Sequence, residues 1–296
     1  MEQEHIPVLS AEVMEHLAVR PDGHYVDATA GLGGHLGQIA QRLVTGFVIA
    51  NDGDGESLEL AKKNTLPWAD RIRYHQGRFS ELRRALETFG LKKVDGLLAD
   101  LGVSRYQLTD PERGFSLQAD GPLDMRTNRT EGITAGEIVN YTAEKALADL
   151  IYQLGEERRA RRIARAIVRS RPVRSTLHLA RIVESAAPRT GRIHPATQTF
   201  MALRIAVNQE VEELEALMKL APEIVASGGR IVVLTFMSSE DRAVKQAFQR
   251  LAREGRARIL TKHVVKPAYE EVLQNPASRS SKLRCLEMLD ASREQG

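Results

Sequence analysis

Apolar residues in the first hundred positions follow two alternating patterns. Short strand-like runs, HYVDATA, GFVIAND, RIRYHQGRF and VDGLLADLG, are separated by stretches with helical apolar spacing, GGHLGQIAQRL, ESLELAKKN and SELRRALETF. Another helical pattern opens the chain. Strands that alternate with helices pair in parallel through right-handed crossovers, so the prediction is an α/β, doubly wound sheet.

The alternation stops near residue 104. A polar loop, LTDPERGFSLQADGPLDMRTNRTEG, leads into helical patterns at TAGEIVNYTAEKALADLIYQLG, EERRARRIARAIVRS and TLHLARIVESAA. The α/β pattern resumes with one long helix, PATQTFMALRIAVNQEVEELEALMKLAPEIVA. It stops at Gly228 and Gly229, and then come the strand RIVVLTFMS, the helix SEDRAVKQAFQRLAREG and two terminal strands. The expected layout is a discontinuous sheet domain, 1–104 and 195–296, with an inserted helical domain, 105–194.

Composition narrows the class. A chain of 296 residues, 42% hydrophobic and 27% charged, is long enough for a large core and reads as soluble and globular. No apolar run approaches the roughly 20 residues needed to cross a bilayer. The N-terminus lacks a secretory pattern, so no membrane segment and a cytoplasmic location are expected. The one cysteine, Cys285, excludes an internal disulfide and a cysteine-rich zinc site. It lies in KLRCLEML, where a buried strand position is expected, and no metal is expected anywhere.

The formal net charge of +3 is too small to imply a polyanionic partner, so clustering decides. Residues 156–174 hold eight arginines against two glutamates. Arg158, Arg162, Arg165 and Arg169 recur on one helical face, while Ala160, Ile163, Ala164 and Ile167 line another. A solvated face is the plain alternative. Few acids interrupt the stripe, which favours phosphate contact.

Candidate chemistry gathers at the strand ends. VDATAGLGGH puts Asp27 before Gly31, Gly33 and Gly34, which let backbone approach a ligand. The dinucleotide fingerprint would need glycine at Leu36, a P-loop would need Gly-Lys-Ser/Thr, and neither is present. Asp52 follows about 20 residues later, where a carboxylate accepts the hydroxyls of an adenosine ribose. Asp54 is a substitute for it or a cap for the next helix. Phe79 and Asp100 are expected to end the third and fourth strands on the same rim. An adenosine-like ligand without a pyrophosphate fits best, and S-adenosylmethionine is one.

Several spaced stretches then carry a family resemblance: HIPVLSAEV, DATAGLGGH, DLGVS, DPERGFS, DGPLDMR, GEERRARRIARAIV, HPATQTFMALRIAVNQE, SEDRAVK and NPASRSSKLR. Together they resemble the bacterial small-subunit ribosomal RNA methyltransferase H family (RsmH, or MraW). The likeness implies a Rossmann-like class I methyltransferase sheet. Gly33, Gly34, His35, Asp52, Phe79, Asp100 and Gln107 fall where that family places its S-adenosylmethionine contacts. The insertion corresponds to a substrate-recognition domain, and the target would be the exocyclic 4-amino group of one cytidine in the decoding region of small-subunit RNA. The implied partners are that RNA and the small ribosomal subunit.

Asp100 stands where amino methyltransferases keep their acceptor motif, and the backbone from Leu101 to Ser104 would form one wall of the reaction site. Arg113, Asp124 and His194 are further candidate substrate contacts. Asp124 with Arg126 is equally a loop brace, and His194 a helix cap. Tyr106, Phe115 and Phe200 could stack on a flipped base or fill the core. The chain departs from the family at Arg105 and Tyr106, where Ser-Pro is usual, and at Met237, Ser238 and Ser239, where His-Ser-Leu is usual. Three alternatives stay open: an amino methyltransferase of another nucleic acid, small substrate or protein side chain, a nicotinamide dehydrogenase, and an inactive RNA-binding assembly factor.

Overall fold

A computed structural model of the chain describes residues 7–187 and 194–290. The described residues form two compact units. One comprises the chain up to Gly102 and from Glu212 onward, and the other is Val103–Val211.

The first unit begins α1 (Ser10–Leu17), β1 (His24–Asp27), α2 (Gly34–Arg42), β2 (Phe47–Asp52), α3 (Gly55–Asn64), β3 (Ile72–Gln76), α4 (Leu82–Thr88), β4 (Val94–Asp100). The second contains α5 (Arg105–Thr109), α6 (Ala135–Tyr141), α7 (Glu144–Gly155), α8 (Ala160–Arg169), α9 (Thr176–Ala186) and α10 (Thr197–Asn208). After α11 (Glu210–Ile224) come β5 (Val225–Thr235), α12 (Ser238–Arg253), β6 (Ala257–Ile259), α13 (Tyr269–Gln274) and β7 (Lys282–Met288).

The seven strands lie in the order β3-β2-β1-β4-β5-β7-β6. Neighbouring residues along each strand point to opposite faces, and the two cores divide accordingly. Val26, Ile49, Leu97, Ile231 and Val233 meet α4, α11 and α12 on one face. Tyr25, Val48, Ala50, Leu98, Val232 and Leu234 meet α1, α2 and α3 on the other. Helices on both faces make the sheet doubly wound, as the alternating pattern predicts.

Three local departures have physical causes. First, β7 runs antiparallel to both β5 and β6, so the sheet is mixed. The crossover β5-α12-β6 leaves one strand's width, into which the chain returns as β7. Second, Gly228 and Gly229 lie within β5, where the register against β4 shifts between Val94 and Gly96. They mark an irregularity in the strand instead of a stop. Third, the long helix expected from residue 195 is two helices, because Gln209 takes a left-handed conformation with φ 52°. Asn208 is anchored there: its amide donates to the Met125 carbonyl at 2.8 Å and its carbonyl oxygen accepts from the Thr127 N–H at 2.8 Å. These long-range bonds are invisible to periodicity, and they keep α10 in the second unit.

The core of that unit is built from Leu147 and Ile151 of α7, Ile163 and Ile167 of α8, Leu179 and Val183 of α9, and Phe200 and Leu203 of α10. At Gly155 any Cβ would stand 2.4 Å from the Gln198 carbonyl oxygen, so only glycine allows α7 this close to α10. Phe115 and Phe200 are buried in this core. Cys285 is fully buried on β7, as expected, and burial pushes its thiol up to about 12.

Candidate functional site

The order of the strands reverses between β1 and β4, which is where open α/β sheets bind ligands. Asp27 ends β1, Asp100 ends β4 and Asp52 ends β2. Thr29 ties the first two ends together. Its N–H donates to Asp27 Oδ1 at 3.1 Å, and its hydroxyl accepts the Asp100 N–H at 2.7 Å. Asn51, fully buried, donates to the carbonyls of Ala28 at 3.2 Å and Gly77 at 3.0 Å, and its oxygen lies 2.9 Å from His75 Nδ1. The loops after β1 and β3 are thereby held on one rim.

The acids on this rim differ in their surroundings. Asp52 accepts the Gly31 N–H at 2.8 Å on one oxygen and the Asp54 N–H at 2.9 Å on the other. Asp27 is 1% exposed, and burial together with the nearby Asp52 charge pushes its carboxyl up to about 7, against the pull of the Thr29 N–H. Burial, with repulsion from Asp27 and Glu240, pushes Asp100 up to about 8. Asp27 Oδ2 and Asp100 Oδ1 are buried with no hydrogen-bond partner among the described residues. Native proteins rarely leave such atoms unmatched, and here two occur on the strands that flank the switch point.

The glycine turn has a structural demand of its own. Gly33 caps α2 at φ 92°, and a Cβ there would meet Thr65 Cγ2 at 2.8 Å. A Cβ on Gly34 would press on the Pro7 ring at 3.2 Å. Both glycines therefore let the turn lie close to its own neighbours. His35, buried in the first turn of α2, places Nε2 3.7 Å from Asp100 Oδ2. Asp54 is the cap of α3, accepting the N–H groups of Glu56 and Ser57, which is the plainer of its two readings. Phe79 lies three residues beyond the end of β3 and opens a short helical turn, so it does not end the strand.

The remaining candidates belong to the second unit. Ser104 caps α5: its hydroxyl accepts the Gln107 N–H at 3.2 Å, while its own N–H donates to Gln107 Oε1 at 2.8 Å. Arg113, expected to meet substrate, has no exposed surface, and its guanidinium donates to the carbonyls of Arg126 and Thr127, both at 3.1 Å. It anchors a loop, and this burial, which only the tertiary structure reveals, is at odds with the expected substrate contact. Asp124 forms a two-pronged ion pair with Arg126 at 2.7 and 3.1 Å. Burial opposes its ionisation, but that pair outweighs burial and holds the carboxyl below its usual range. His194 Nδ1 accepts the Ala196 N–H at 3.1 Å in the turn before α10. Arg158, Arg162, Arg165 and Arg169 are all exposed, and Arg165 pairs with Glu144 at 3.4 Å.

Sequence reasoning missed Thr29, Asn51 and Glu240. Glu240 is buried at the start of α12, accepting the N–H groups of Phe236 and Met237, both at 3.0 Å. Its neighbour Asp241 binds Arg284 at 2.6 Å and so ties α12 to β7. An acid two positions after the departure at Ser238 was the available signal.

The chain belongs to the MraW methylase family, whose model matches residues 2–289. A ribosomal RNA small subunit methyltransferase H of Solibacter usitatus (strain Ellin6076) is 63% identical over 284 residues, spanning 96% of this chain and 99% of the relative. Proteins of the same name from Acidobacterium capsulatum and Koribacter versatilis (strain Ellin345) are 49% and 47% identical, over 97% and 95% of this chain and 99% and 92% of theirs.

Proposed function

We propose that this member of the MraW methylase family transfers a methyl group from S-adenosylmethionine to the exocyclic 4-amino group of a specific cytidine in small-subunit ribosomal RNA. The observation that carries the proposal is the pair of buried carboxylate oxygens, one each on Asp27 and Asp100 at the switch in strand order, that have no hydrogen-bond partner among the described residues. They suit a ligand that brings positive charge and N–H donors, as the sulfonium and ammonium groups of this cofactor do. Asp52 suits the ribose, because it ends β2 about 20 residues after the glycine turn, where a carboxylate accepts the ribose hydroxyls. A nicotinamide dinucleotide brings a pyrophosphate, which three clustered acids would repel.

Bound there, the cofactor supplies a methyl carbon activated by a positively charged sulfur. The chain's residues must supply orientation and a proton acceptor. Cytosine's amino nitrogen is a weak nucleophile, since its lone pair is delocalised into the ring. Asp100 in its ionised form accepts an amino N–H, which fixes the nitrogen's direction, and takes that proton as the amine becomes substituted. Orientation of this kind can lower a barrier by about 7 to 11 kcal/mol in the best intramolecular cases. Gly33, Gly34, His35, Asp52 and Phe79 are assigned to cofactor binding. Gln107 is assigned to cofactor binding by family resemblance, and Ser104, locked to it at the start of α5, to the wall of the reaction site.

Val103–Val211 supplies substrate recognition in this reading, with the exposed arginines of α8 meeting RNA phosphates. Asp124 and His194 serve by holding loops. The acceptor is the small ribosomal subunit or its RNA, and the reaction belongs in the cytoplasm, where subunits are assembled. Incubating the protein with methyl-labelled cofactor and isolated small subunits, then mapping the label, tests the proposal. Label at a single cytidine amine is expected, and its absence, or label on another base or on protein, overturns the assignment.

A further inference from the structure

We infer that the second unit grips an unpaired stretch of RNA by stacking bases on Tyr141 and Tyr152, at either end of the arginine row of α8. This rests on the proposed RNA reading and adds the form of RNA that is held. Tyr141 is 84% exposed and Tyr152 60%, whereas Phe115 and Phe200 of the same unit are buried. A scattered exposed aromatic needs no explanation. The placement of these two does.

Tyr141 ends α6, and bonds to both sides of it bring the basic end of α8 alongside. Arg171, just past α8, donates from Nε to the Val139 carbonyl at 2.8 Å and from Nη2 to the Thr142 carbonyl. Arg165 pairs with Glu144, three residues beyond Tyr141. At the far end, Tyr152 lies in the last turn of α7, and the short link Glu156–Arg159 leads directly into α8. The Arg165–Glu144 contact near the start of α7 shows that the two helices run antiparallel. Along the axis of α8, the arginines from 158 to 169 therefore lie between the positions of the two tyrosines. Arg158, Arg161, Arg162 and Arg169 are exposed and make no ion pair among the described residues.

Guanidiniums along a backbone track with tyrosine faces at its ends form the combination that binds single strands, where every base has a ring face to offer. A duplex has none to give, because its bases are stacked on one another. An acidic protein segment would use the arginines without needing the rings.

Anisotropy titrations of the full chain test this, using a labelled unpaired oligoribonucleotide of about 12 nucleotides and a hairpin of the same length. Tyr141→Ala and Tyr152→Ala should each weaken single-strand binding about tenfold. The salt slope and hairpin binding should not change, and Tyr141→Phe should bind like the parent. Arg158→Gln with Arg162→Gln should instead flatten the salt slope. Full single-strand affinity in both alanine variants overturns the stacking proposal, while the RNA reading survives if the arginine pair still flattens the slope. Equal losses on strand and hairpin also overturn it. An unchanged slope in the arginine pair removes the RNA reading of α8, and the stacking proposal falls with it.

Discussion

The two units hold charge in opposite ways. In the first, Asp27 is withdrawn from water and Asp100 is half-buried at the strand ends, with one buried oxygen of each unmatched among the described residues. In the second, the α8 arginines stand in solvent, and Arg165 shares its charge with Glu144. Charges in a low-dielectric site act strongly on few partners, whereas exposed charges are screened beyond a Debye length of about 8 Å at physiological salt. The first arrangement suits one small cationic ligand read by a few contacts, and the second suits a long polyanion held by many weak ones. A single substitution should therefore be severe among the acids and mild among the arginines.

The largest effect is expected at Asp100. Asp100→Asn keeps the shape of the side chain but cannot take a proton, so single-turnover methyl transfer should fall on the order of 10²- to 10⁴-fold while the thermal melt shows a folded protein. Unchanged turnover together with unchanged cofactor affinity would remove Asp100 from the chemistry and erase the contrast between the units. Gly33→Ala follows. At φ 92°, with Thr65 Cγ2 2.8 Å from the new Cβ, the turn must shift. The variant should lose about 1 to 3 kcal/mol of stability by urea unfolding and bind the cofactor more weakly. Parental stability and affinity would mean that the turn tolerates a side chain there and that its geometry is not what holds ligand.

How far these features were legible depends on whether the cause was local. The sheet, its helices and the strand-end positions of Asp52 and Asp100 follow from apolar spacing, because one face of each element must be buried. The split at Gln209, the antiparallel return of β7 and the burial of Arg113 depend on contacts between residues far apart in sequence. Arg113 shows this most clearly, since an arginine in a polar loop reads as exposed until the carbonyls of Arg126 and Thr127 close around it. Within the site, the acids were visible as residue types at strand ends. Asn51 and Thr29, which hold those ends in register, carry no pattern.

Effects in the second unit should be graded instead of abrupt. Each α8 arginine replaced by glutamine should lower the slope of log K against log salt by about 0.7 for a single strand, so that pairs add and no single change abolishes binding. Titrations at several salt concentrations check this. A single arginine whose loss abolished binding would make α8 a specific contact like those of the acid rim.

A proton linkage sharpens the contrast further, and its sign follows from the raised acids. Unfolded aspartates ionise near 3.9, whereas folded Asp27 and Asp100 hold their protons up to about 7 and about 8. Between those limits the folded chain binds more protons, so the contribution of these acids to stability falls as pH rises from about 4 to 8 and levels off above. The ligand-free protein should therefore melt at a lower temperature at pH 8 than at pH 6, and Asp100→Asn, which cannot ionise, should reduce that difference. His35, Asp52 and Glu240 surround the same acids and are retained in both proteins, so comparing variant with parent isolates Asp100. A cationic ligand favours the ionised carboxylates, so binding should release protons, and affinity should rise with pH by at most about tenfold per unit for each proton released. Calorimetry in buffers of different ionisation enthalpy counts those protons. Asp100→Asn should release fewer than the parent, and equal numbers would mean that Asp100 is already ionised when the ligand arrives, in contradiction to its raised carboxyl.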